Sequence, residues 1–222
     1  LAMRGEDQRA IESCERALGA SPDRFETAFI LACLGRACAE AGMLERARAV
    51  LHEAVDVADQ VRSVQFRAWF RTMLGEALLL NGDTALAKAV IETALRMSTE
   101  ARFGLGIALS RQVAGMIALR EGDRMQATRD LADAARVFAE IGARFDLARS
   151  RMEQARVAQA DGATARACLR EACEIFAALR APRYLAAGKR LAEAVMEDSR
   201  SLAATDDACN VPGEPSRDAN RE

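Results

Sequence analysis

A 40-residue internal period constrains this 222-residue chain more than any other feature. Gly42, Gly82, Gly122 and Gly162 stand 40 apart, and Gly35, Gly75 and Gly115 form a second series at the same step, continued by Ala155. A third series, Ala47, Ala87 and Ala127, keeps the step, with Ala165 two residues early. Four residues after each comes Leu51, Ile91, Leu131 or Leu169, and three later Ala54, Ala94, Ala134 or Ala172. Offsets of four and three fall on one face of a helix, so the repeating unit is helical.

Each unit reads as two helices. The first carries Leu31, Leu34, Gly35 and Cys38, or Leu74, Gly75 and Leu78, an apolar stripe with a glycine where a neighbouring helix comes close. Gly42, Gly82, Gly122 and Gly162 supply a left-handed residue to end that helix, and Asp83 or Asp123 caps the next. The second helix presents Ala47, Leu51 and Ala54, or their equivalents, to the first. Neither can bury its face alone, so the hairpins stack. Aromatic residues make up 5% of the chain and β-branched residues are sparse, which agrees with an all-α protein.

A net charge of −2 argues against nucleic acid or an anionic membrane as partner. The longest apolar run, Ala28 to Leu34, falls far short of the ~20 residues a membrane span needs, and no secretory segment opens the chain, so a cytoplasmic protein with reduced thiols is expected. Arginine far outnumbers the two lysines, Lys88 and Lys189, a bias that points to bacterial codon usage. The signals for chemistry are weak. His52 has no second His or Cys pair in phase and reads as a solvent-facing or partly packed residue. Cys33 and Cys38, like Cys168 and Cys173, are five apart, which turns them about 140° from each other on a helix, wrong for a shared zinc. Gly104-Leu-Gly106 lacks the third glycine and the preceding strand of a dinucleotide loop, and Gly82 to Lys88 lacks the Gly-Lys-Ser/Thr of a phosphate loop. Asp130 and Asp133 read as solvated surface. No catalytic residue, cofactor or metal site is expected.

Leu31-x-x-Leu34-Gly35-x-x-Cys38, Arg71-x-x-Leu74-Gly75-x-x-Leu78 and Ala10-x-x-x-Cys14-x-x-Ala17 followed by Pro22 resemble the tetratricopeptide repeat family. The period is 40 where that family usually has about 34, and Leu, Arg, Cys or Ala replace its Trp and Tyr. The resemblance implies a right-handed helical-hairpin solenoid over residues 1–198, of about four and a half repeats with a C-terminal capping helix. The expected units are a partial repeat at 1–22, repeats at 23–61, 62–100, 101–142 and 143–180, and a cap at 181–198 begun by Pro182. Residues 199–222 are expected to be a disordered tail. The chain opens in the middle of a hairpin and without Met, which suggests a fragment of a longer polypeptide.

In stacked hairpins of this type the first helices line the concave side, which places Phe29, Arg36, Trp69, Glu76 and Leu109 in the groove. Gln112, Met116, Arg120, Arg149, Met152 and Arg156 join them on the same face, as do Glu40 and Leu80. Phe29, Trp69 and Leu109 share one register and, with Met116 and Met152, form an apolar stripe flanked by guanidinium groups. They either grip an amphipathic or acidic peptide or pack between adjacent first helices. Phe138-Ala-Glu-Ile-Gly142-Ala-Arg-Phe-Asp-Leu-Ala148-Arg and Ile175-Phe-Ala-Ala-Leu-Arg-Ala-Pro182 resemble the C-terminal arms of bacterial signalling proteins, among them LuxR-class ATP-dependent regulators and kinase or adenylate cyclase fusions. That likeness implies a noncatalytic sensor arm acting on an upstream nucleotide-hydrolysing or cyclase module; a free-standing adaptor that binds a peptide in its groove is the alternative.

Overall fold

The computed structural model describes residues 6–20 and 23–209, with side chains as far as 197. Among the described residues there are ten helices: α1 (Asp7–Gly19), α2 (Arg24–Glu40), α3 (Leu44–Asp59), α4 (Val64–Asn81), α5 (Thr84–Glu100), α6 (Gly104–Arg120), α7 (Arg124–Glu140), α8 (Arg144–Val157), α9 (Gly162–Ala178) and α10 (Pro182–Cys209). No strand occurs among the described residues, and the chain is an all-α solenoid of stacked helical hairpins. Each helix packs on the next in sequence, while α2, α4, α6 and α8 also touch one another in order. The odd-numbered helices make no comparable contact with each other among the described residues, so the even-numbered row is the inner, concave one.

The glycine series sets the closeness of each hairpin. A Cβ on Gly35 would stand 2.4 Å from Leu51 Cγ, one on Gly75 2.6 Å from Ile91 Cδ1, and one on Gly115 2.7 Å from Leu131 Cγ. Any side chain there would push the two helices of a hairpin apart, so the absence of one fixes their separation. Ala47, Ala54, Ala87, Ala94, Ala127 and Ala134 are fully buried on the second helices, where only a methyl fits.

The ends of the helices follow the sequence with three corrections. Gly42, Gly82 and Gly122 take the left-handed conformation after α2, α4 and α6, and Gly142 does the same after α7. Gly162 does not: α8 stops early at Val157, and Gly162 is instead the first residue of α9, where the Asp161 carboxylate accepts from the Ala163 and Thr164 N–H groups. Asp123 caps α7 by accepting from Gln126, but the Asp83 side chain makes no capping bond and takes up Asn81 and Arg48 instead. The start of α2, by contrast, is a reciprocal capping box between Asp23 and Glu26. Proline opens α10, which runs past the expected end at 198 to Cys209; residues 210–222 of the expected tail lie outside the described residues.

Polar bridges tie neighbouring inner helices together. The Thr72 and Ser110 hydroxyls meet at 2.9 Å between α4 and α6. Between α6 and α8 the buried Gln112 amide donates to Ser150 Oγ at 3.0 Å and to the Asp146 carbonyl at 3.3 Å. On the outer side, Asp130 is buried rather than solvated, since it accepts from Arg111 and Gln126. His52 is exposed, and Cys14, Cys33, Cys38, Cys168 and Cys173 are free thiols.

Candidate functional site

The inner wall is built by the repeat itself. Arg36, Glu76, Met116 and Arg156 occupy the same register on α2, α4, α6 and α8, and all four line one cavity of about 260 Å³. Arg149 and Met152 of α8 and Tyr184 of α10 complete its wall. A second cavity of about 480 Å³ adjoins it, lined by Trp69, Leu105, Leu109 and Phe145 with Ala10 and Cys14 of α1. Arg36, Glu40 and Met73 border both, so the two form one bent groove.

Ten of the sequence-derived groove residues thus reach a cavity: Arg36, Glu40, Trp69, Glu76, Leu80, Leu109, Met116, Arg149, Met152 and Arg156. Three line neither. Phe29 packs edge-on against Phe66 and Trp69, each at 6.3 Å between ring centroids, where α2 meets α4. Gln112 is spent on the bridge to Ser150 and Asp146. Arg120 stands exposed at the end of α6, beyond the cavities. Trp69 serves two roles, since it belongs to the same aromatic cluster and also walls the larger cavity.

The guanidinium groups in the groove are already matched by carboxylates. Arg149 of α8 reaches across to Glu76 of α4 in a shielded ion pair, Arg156 pairs with Glu153, and Arg36 lies 3.6 Å from Glu40. Burial alone would raise the Glu76 carboxyl, yet Arg149 and Arg36 hold it below the usual carboxylate range. Burial is the largest influence on Arg149 and opposes its charge, but Glu76, Tyr184, Asp146 and Glu40 together outweigh it and hold the guanidinium above its ordinary value. Asp146 and Glu153 go the other way: burial raises both carboxyls against the guanidiniums beside them. One donor is left over, because Arg149 Nη1 is buried with no hydrogen-bond partner.

Nothing in the repeat pattern signalled that α10 returns to α1 and α2. Arg183 of α10 donates to both carboxylate oxygens of Asp7 in α1, at 2.7 and 2.8 Å, and also to the Glu40 carbonyl at the end of α2. The Tyr184 hydroxyl, pushed up to about 12 by burial, donates to the Glu40 carboxylate. That carbonyl is one of the unpaired acceptors of a helix C-terminus, where a cation is favoured. The apolar clusters around α1 and α10 share no residue, so the clasp between the ends is polar.

No protein-family model matches the sequence, and no curated protein matches it significantly. Solved structures do match its shape. BtubC (BKLC) from P. vanneervenii superposes with a TM-score of 0.58 at 16% identity, over 99% of this chain and 96% of its own. A kinesin light chain of nearly identical TPR-like repeats from Podosopora anserina gives 0.52 at 18% identity, over 79% of this chain and 94% of its own. The fold is tetratricopeptide-like. A Rap protein complexed with Competence and Sporulation Factor shares it, with a TM-score of 0.57 at 15% identity over 89% of this chain and 60% of the Rap chain. Among the described residues no helix is long and apolar enough to cross a membrane, and no group of three or more His, Cys, Asp or Glu is placed to hold a metal ion.

Proposed function

We propose that this chain is a noncatalytic ligand-sensing solenoid whose bent groove binds a short peptide, and that it serves as the regulatory arm of a larger bacterial signalling protein. The groove carries the reading: two adjoining cavities, one ion-paired and one apolar, enclosed by inner helices whose ends are clasped. Cavities of this size suit a small ligand or a few residues of extended chain, and a folded partner does not fit them. The Rap protein complexed with Competence and Sporulation Factor gives the same fold a binding role elsewhere. Occupancy would change the spacing of inner helices that the clasp holds, and so offers a signal to a nucleotide-hydrolysing or cyclase module joined in cis. The adaptor alternative needs a groove open to a partner's surface, which the clasp opposes.

A pool of randomised capped hexapeptides incubated with the full chain and recovered by gel filtration tests the reading. Retention of a peptide subset, lost when Leu109→Trp fills the larger cavity, supports it. Failure to retain any peptide, or retention unchanged by Leu109→Trp, refutes it.

A further inference from the structure

The smaller cavity is charged but balanced. Arg36, Arg149 and Arg156 face Glu40, Glu76 and Glu153. A ligand anion would have to draw a guanidinium away from its carboxylate, and a ligand cation would have to do the reverse. Separating a shielded pair leaves one uncompensated charge behind, the costly event in such sites. Uncharged dipoles face no such cost: an amide carbonyl can accept from a guanidinium that keeps its carboxylate, and an amide N–H can donate to a carboxylate that keeps its guanidinium.

Two guanidiniums have donors to spare. Arg149 Nη1 is buried without a partner, and Arg36 makes no hydrogen bond among the described residues, only its 3.6 Å approach to Glu40. A buried donor left unpaired costs free energy that an incoming acceptor would recover. Arg36 also borders the larger cavity, whose walls are Trp69, Met73, Leu105, Leu109 and Phe145. An apolar group seated there lies beside Arg36, and Arg149 lines the adjoining smaller cavity.

We infer that the groove selects an extended peptide segment of no net charge bearing one bulky apolar side chain. The side chain fills the larger cavity, and main-chain carbonyls next to it accept from Arg36 and Arg149. This rests on the groove being the ligand site, and it departs from the acidic peptide that a guanidinium-flanked stripe suggests in the sequence. Asp146, at the edge of the larger cavity, is the group a cationic peptide would seek, so positive charge belongs in the test.

Trp69 is the sole tryptophan of the chain and walls the larger cavity, so its emission reports occupancy there. The probes are N-acetylated, C-amidated pentapeptides with a central phenylalanine and serine and alanine flanks, compared with versions carrying central glycine, aspartate flanks or lysine flanks. The neutral phenylalanine peptide is expected to shift Trp69 emission and to bind at least about tenfold more tightly than each of the other three, since a hydrogen bond to a charged group or a buried aromatic side chain is worth a decade or more. Arg36→Gln should keep the helix content, having no hydrogen bond to lose, and weaken the neutral peptide by about tenfold. Tighter binding of the aspartate or lysine peptide overturns the charge argument, and equal binding of the glycine peptide overturns the apolar anchor. If hexapeptides are retained by the chain through Leu109 but none of these probes moves Trp69, the groove reading stands and this inference falls. If no peptide of any composition binds, both fall.

Discussion

Replacing Gly35 by alanine tests whether the glycine series sets the hairpin spacing. The added Cβ would lie 2.4 Å from Leu51 Cγ and 2.8 Å from its Cδ2, and Leu51 is only 1% exposed, so it cannot swing into solvent. Restoring ordinary carbon–carbon contact requires a shift of roughly 1 Å between α2 and α3. Overpacking of this kind costs about 1–3 kcal/mol, and the better helix propensity of alanine returns up to about 1 kcal/mol. The expected net effect is a loss of about 1–2 kcal/mol. Gly104→Ala is the internal control, since nothing lies within 4 Å of its added carbon, and it should be neutral or slightly stabilising. Leu51→Ala alone empties a buried site and should cost about 2–5 kcal/mol. In that background Gly35→Ala should stabilise, because its methyl then enters space the leucine has left. Urea unfolding followed by far-ultraviolet circular dichroism reads all four proteins. The reasoning is refuted if Gly35→Ala has the same effect with and without Leu51, or if it matches Gly104→Ala.

Three further outcomes follow from the groove and its clasp. Arg183→Ala should leave helix content intact while small-angle scattering shows a larger radius of gyration; losing a half-exposed bidentate pair and a capped carbonyl is worth about 1–2 kcal/mol, and an unchanged radius would show that the polar contacts do not hold the ends. Glu76→Gln should destabilise by about 3–5 kcal/mol because it strands Arg149, whereas Glu76→Gln with Arg149→Met should cost less than that single change in the same unfolding assay. Acid and base act on different carboxylates. The Glu76 carboxyl is depressed in the folded state, so its contribution is full above the ordinary carboxylate range and is lost as pH falls through the depressed value. The Asp146 carboxyl is raised, so its contribution is full below its ordinary value and is lost as pH rises through the raised one. Asp146→Asn should therefore raise stability at neutral pH and flatten that decline, and an unfolding midpoint at neutral pH no higher than that of the unaltered chain would contradict the assignment.

The repeat was legible because it depends on contacts inside one hairpin. Gly35 meets Leu51 and Gly75 meets Ile91 across a single turn, so the spacing of residue types records the packing directly. Gly162 misled because the same residue type serves two ends of a helix, and the choice turned on α8 stopping early and on Asp161 capping α9. Within the groove the register was legible while the partners were not. Gln112 shares the face of Met116, yet its amide is consumed by Ser150 of the next inner helix, 38 positions away. The pairing of Arg149 with Glu76 spans 73 positions and that of Arg183 with Asp7 spans 176. Such contacts depend on curvature accumulated over every hairpin in between, which no local pattern encodes. For that reason the arginines read as free anchors for an acidic ligand in the sequence and stand in matched pairs in the fold.

Arg183 reaches Asp7 only after the stack has turned through the hairpins from α2 to α9. An open solenoid tolerates the duplication or loss of a unit, since each one contacts only its neighbours. Here the number of hairpins between α1 and α10 is itself under a geometric constraint. A hairpin inserted between α2 and α9 would carry Arg183 past Asp7, and one removed there would leave it short, so either event would cost the clasp while sparing every individual repeat.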